Sequence, residues 1–189
     1  HWFRLGEGLP TVAVDDIAIH PRERDIVAAT HGRSLWVMDD AGALEHWKPT
    51  TPSDSVTFFP PRGALAFHTM LLQGVWGSRM FRAKNPPFGA YFDYYLGIDF
   101  DDGVVISVTD SAGNKVRRLT GSGSKGFHRV VWDLLPGEPR ERIPSQEWGG
   151  QPEFAAPGRY QVTLVAGDRT PIVQPLSVRH LSGTRAAGR

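Results

Sequence analysis

The sequence of 189 residues contains no cysteine. That absence excludes disulfide cross-links, thiolate metal centres and thiol redox catalysis. Long apolar runs are missing as well: no stretch approaches the roughly 20 residues that a membrane-spanning helix needs, so no membrane span is expected. No window of helical length places apolar residues at three- and four-residue spacing without an interrupting Gly or Pro. Charge of one sign is also lacking. Twenty-one Lys and Arg face 20 Asp and Glu, a formal charge of +1 spread along the chain. No basic field in the sequence marks a nucleic-acid or anionic-membrane surface, so nucleic acid is not an expected partner.

What is present is punctuation. Twenty-one Gly and 15 Pro interrupt a chain that is 40% hydrophobic, the composition of a globular protein made of strands and turns. The expected fold class is all-β. The opening shows no basic-then-apolar leader, and Trp2 to Leu5 looks like a strand already under way. The chain therefore reads as a piece of a longer protein.

Between Val12 and Phe59 four short apolar runs, Val14 to Ile19, Ile26 to Thr30, Leu35 to Met38 and Val56 to Phe59, are separated by turn residues and read as a meander. Pro21 ends the first run, and Gly32 suits a tight turn before the third. A sheet of roughly 40 to 50 residues is the size of one propeller blade, and a blade hides its two apolar faces against neighbours. Those neighbours are expected upstream of His1. The Pro60-Pro61 pair marks a boundary, since each Pro removes a backbone donor and stiffens the path.

Beyond it come further strand candidates: Ala90 to Leu96, Val104 to Thr109, Lys115 to Thr120, Phe127 to Leu134, Tyr160 to Ala166 and Ile172 to Val178. Val104, Ile106 and Val108 alternate with Val105, Ser107 and Thr109, as do Tyr160, Val162 and Leu164 with Gln161, Thr163 and Val165. Two half-buried sheets of this kind pack as a sandwich. Residues 1–60 are thus expected to be a partial terminal blade, 61–83 a linker, 84–180 a sandwich and 181–189 a frayed tail. The Pro- and Gly-rich segment from Pro136 to Pro157 is expected as a long loop.

The run Asp16-Ile17-Ala18-Ile19-His20-Pro21, followed by Thr30-His31-Gly32-Arg33-Ser34-Leu35-Trp36-Val37-Met38-Asp39-Asp40, resembles the closing blade of sortilin-type propellers. That group includes bacterial neuraminidase-repeat proteins often labelled glycosyl hydrolases. Lys84-Asn85-Pro86-Pro87-Phe88-Gly89-Ala90, Val130-Val131-Trp132-Asp133-Leu134 and Ala156-Pro157-Gly158-Arg159-Tyr160 are similar to the immunoglobulin-like domain that follows such propellers, akin to that of flagellar hook-capping proteins. The resemblance implies a secreted, periplasmic or cell-surface bacterial protein. Its earlier blades would carry any acidic catalytic residues, so this portion would close the propeller and add a binding or scaffold domain. The alternative it implies is an accessory part of a glycoside hydrolase acting on polysaccharide. Partners would be the upstream blades, with polysaccharide or a cell-surface protein beside them. No Asp-box of the Ser-x-Asp-x-Gly-x-x-Trp kind occurs.

No residue of the chain is assigned a catalytic role, and no cofactor or metal is expected. Candidate ligand-binding residues are His31, Arg33 and Asp40 in the meander, with Trp76 and Trp148 as sugar platforms in irregular segments. The plainer reading makes Gly32 a turn residue and pairs Arg33 with Asp39 or Asp40 as a structural ion pair. Adjacent Asp39 and Asp40 would point to opposite faces of a strand and cannot flank one glycosidic bond. Asp99, Asp101 and Asp102 offer oxygen ligands without EF-hand spacing and read as a hairpin turn. Gly121-Ser122-Gly123-Ser124-Lys125-Gly126 lacks phosphate-loop spacing and reads as a flexible hairpin loop. No His-Glu-x-x-His zinc motif and no Gly-x-Ser-x-Gly elbow is present.

Overall fold

The computed structural model describes Leu9 and residues 11–48, 54–68, 85–138 and 153–182. It is mostly β, with one short helix. Contacts divide it into two compact units, His1–Lys48 and Pro49–Arg189.

In the first unit β1 (Val14–Ile19), β2 (Ile26–Thr30) and β3 (Leu35–Met38) form an antiparallel sheet in that order. Turn chemistry sets the register. Arg24 takes φ 62° between β1 and β2, and Gly32 and Ser34 take 73° and 69° between β2 and β3, the left-handed conformation that tight turns require. The Thr30 hydroxyl donates to the Ser34 carbonyl at 2.6 Å. A five-residue helix, α1 (Gly42–His46), follows, which the sequence reading did not foresee. This unit buries little. Ile17, Ile19, Leu35 and Val37 are 60, 65, 64 and 55% exposed.

The pairing register explains how both faces come to be apolar. Ile19 lies opposite Ile26 and Ile26 opposite Met38, while Ala18 lies opposite Val27 and Val27 opposite Val37. Neighbours along a strand point to opposite sides, so each side of the sheet carries its own row of aliphatic groups.

Val56–Phe58, grouped by sequence with the opening meander, belongs instead to the second unit. As β4 it pairs antiparallel with β6 (Ala90–Leu96), and the division between units falls at Lys48 and Pro49 rather than at residue 60. The reason is tertiary: Phe58 is 3% exposed in the second unit's core and meets Phe92 edge-on at 6.4 Å. Nor is the stretch after Pro61 only a connection, because β5 (Ala64–Ala66) runs parallel to β11 (Ile172–His180).

The second unit has two sheets. One has the order β5-β11-β10-β7-β8, with β7 at Val104–Asp110, β8 at Lys115–Gly121 and β10 at Gly158–Ala166; the other has the order β4-β6-β9, with β9 at Gly126–Trp132. Alternate residues from both sheets meet in one cluster. Phe92, Tyr94 and Leu96 of the small sheet and Ile106, Val108, Val162 and Leu164 of the large one are nearly fully buried together. Each aliphatic or aromatic side chain buried in this way contributes about 1.5–3 kcal/mol. Trp132 is fully buried in this core, with its indole N–H donating to the Leu135 carbonyl at 2.9 Å.

Candidate functional site

His31 and Arg33 sit in the β2–β3 turn, whereas Asp40 lies beyond the opposite end of β3, so the three are not brought together. The His31 ring nitrogen Nδ1 is 3.3 Å from Asp15 Oδ2, with both side chains largely exposed. Arg33 makes no ion pair among the described residues; its carbonyl accepts from the Trp36 indole N–H at 3.0 Å. Trp76 and Trp148 lie outside the described residues.

Asp40 is 5% exposed, and its partner is Arg24 rather than Arg33. Arg24 Nε approaches Asp40 Oδ1 at 3.3 Å, the Gly42 amide donates to the same oxygen, and the Asp40 amide donates to Asp25 Oδ1 at 2.9 Å. A Cβ at position 42 would meet the Arg24 guanidinium, so a larger residue there would have to displace that side chain from Asp40. The network ties the segment after β3 to the β1–β2 turn. Its carboxylates already accept hydrogen bonds, which suits a structural tie more than ligand capture. Arg24, Asp25 and Gly42 were invisible to motif reading because Arg24 and Asp40 are distant in sequence and share no spacing rule.

In the second unit the Gly121–Gly126 segment passes from β8 in one sheet to β9 in the other, so it is a crossover between sheets and not a hairpin. Two of its amides are engaged: Ser124 N–H donates to Ser122 Oγ, and Lys125 N–H donates to Asp99 Oδ1 at 2.6 Å. They are therefore not turned toward a phosphate. Gly123 packs so closely on the Phe100 carbonyl that a Cβ has no room, a constraint opposite to the expected flexibility. The His128 Nε2 donates to the Ser124 carbonyl at 2.5 Å while Ser124 Oγ is 3.5 Å away. That nitrogen thus carries a proton and cannot serve Ser124 as a base. Burial pushes the neighbouring Tyr94 hydroxyl up to about 12, and it donates to the Ser122 carbonyl at 2.8 Å.

A groove of about 410 Å³ opens at one end of the second unit, lined by Asp110, Asn114, Val116, Pro136, Arg159 and Tyr160 among others. Among the described residues of its lining Asp110 is the one carboxylate. Asp110 Oδ1 accepts the amides of Ala112 and Asn114, each at 2.9 Å, an arrangement that closes the β7–β8 turn. The other prominent carboxylate, Asp93, is held by both arms of Arg129 at 2.6 and 2.8 Å across the β6–β9 pair. Among the described residues no group of three or more His, Asp or Glu is placed to hold a metal ion. Comparison with known protein families, with curated proteins and with solved structures finds no match to this chain.

Proposed function

We propose that the first unit is the closing blade of a β-propeller and the second an immunoglobulin-like sandwich. The chain then serves as propeller closure and as an accessory binding or scaffold domain of a secreted bacterial protein. The observation that carries this reading is the β1–β3 sheet with aliphatic side chains standing out on both faces and, among the described residues, no buried hydrophobic core. Leaving such side chains in water forgoes about 1.5–3 kcal/mol each, and lateral neighbours on both sides are what a blade has. The motifs around His31 to Asp40 favour the same assignment.

For the second unit, support comes from strand order. β4-β6-β9 faces β5-β11-β10-β7-β8, with a leading segment that contributes to both sheets and pairs parallel with the last strand. Tyr160, near the start of β10, donates its hydroxyl back to the Ala156 carbonyl at 2.5 Å, in the manner of a tyrosine corner.

The test compares amide hydrogen exchange and dye binding of this chain with those of a chain carrying the neighbouring blades. The expected result is fast exchange in β2 and binding of a hydrophobic dye by this chain, both suppressed in the longer one. Strong protection of β2 amides in the monomeric chain, without dye binding, would overturn the reading. A second reading makes the chain the accessory part of a glycoside hydrolase acting on polysaccharide; the exposed hydrogen-bonding face of the five-stranded sheet favours it.

A further inference from the structure

The outward face of the five-stranded sheet carries cations and no acids. Lys115 lies opposite Thr109, Arg118 opposite Ser107, and Arg159 opposite Ser177, with Arg179 two residues further along β11. All four cationic side chains belong to exposed residues, and none has an ion-pair partner among the described residues. The positions between them on this face hold Ser107, Thr109, Gln161, Thr163 and Ser177, besides aliphatic residues and Pro175. Asp110, at the end of β7, lies opposite Tyr160 on the core side, and its carboxylate is held by its own turn. The result is a stripe of positive charge crossing the sheet, without ion-pair partners among the described residues and interleaved with hydroxyl and amide groups.

We infer that this face binds an acidic polysaccharide, one whose sugars carry carboxylates. The inference rests on the polysaccharide reading above and names its substrate class. An arginine fork matches a carboxylate with two parallel hydrogen bonds, and the Ser, Thr and Gln groups between the arginines suit the hydroxyls of the intervening ring. Neutral glycans and single-stranded nucleic acids are gripped by stacking on aromatic faces, and this face has no aromatic residue. Duplex nucleic acid carries one charge per ~1.7 Å of axis, far denser than a few cations spread over strands ~4.8 Å apart.

Binding of the full chain to polygalacturonate is compared with binding to dextran, to single-stranded poly(dT) and to phosphatidylglycerol vesicles. The second protein is the triple variant Arg118→Gln, Arg159→Gln, Arg179→Gln. The expected result is salt-sensitive binding to polygalacturonate, weakened about tenfold or more in the triple variant, with an unchanged melting temperature. Dextran binding that the variant leaves intact would overturn the acidic site while sparing the broader polysaccharide reading. No binding to either polymer would overturn both. Tighter binding to poly(dT) or to vesicles than to polygalacturonate would also sink the inference.

Discussion

The two units build strands from nearly the same alphabet and end with opposite exposures. Ile19 in β1 is 65% exposed, whereas Ile106 in β7 is completely buried. Both sit in runs that alternate aliphatic residues with smaller or polar ones, so local pattern fixes which side of a strand a residue takes but not what covers that side. In the second unit each sheet covers the other. In the first, among the described residues, nothing does.

The sharpest way to probe that contrast is to truncate one indole in each unit. Trp132→Ala, at the heart of the second unit, is expected to cost about 3–5 kcal/mol, read by urea denaturation. Trp36→Ala, on a strand whose residues are all exposed, is expected to cost only about 1 kcal/mol in this chain, chiefly the indole hydrogen bond to the Arg33 carbonyl. Comparable losses would mean that the first unit has a core after all.

Alkaline titration gives the next largest effect. The Tyr94 phenol titrates near 10.0 when unfolded and near about 12 when folded. Its contribution is therefore fully present below pH 10 and is lost as the pH rises toward 12. Tyr94→Phe is expected to flatten this part of the stability profile. Smaller still, Tyr160→Phe removes one hydrogen bond to the Ala156 carbonyl and should cost about 1 kcal/mol. Ile19→Ser should leave the stability of this chain within about 0.5 kcal/mol yet, on the proposed blade assignment, lower it measurably in a longer chain that covers that face, as thermal melts of the two forms would show.

Strands with strong alternation, such as β7 and β10, were legible because burial of one face imposes the two-residue period. β5 was not, being three residues long, Ala64–Ala66, and held by pairing with a strand more than a hundred residues later. β4 was visible as a strand but not as a partner of β6, since nothing local to Val56–Phe58 encodes that choice. The candidate sites divide the same way. The Gly32 turn could be read from its own residues, whereas the Arg24–Asp40 tie could not. The cations of β8, β10 and β11 looked evenly scattered in a sequence of charge +1, and only the register of three strands gathers them on one face.

The parallel pairing of Ala64–Ala66 with Val178–His180 has a mechanical consequence. These segments lie near the two ends of the second unit, so tension applied through both ends pulls them past each other along their length. All the hydrogen bonds between them must then rupture together instead of opening one by one like a zipper. A domain wired in this way resists stretching more strongly than its equilibrium stability alone implies.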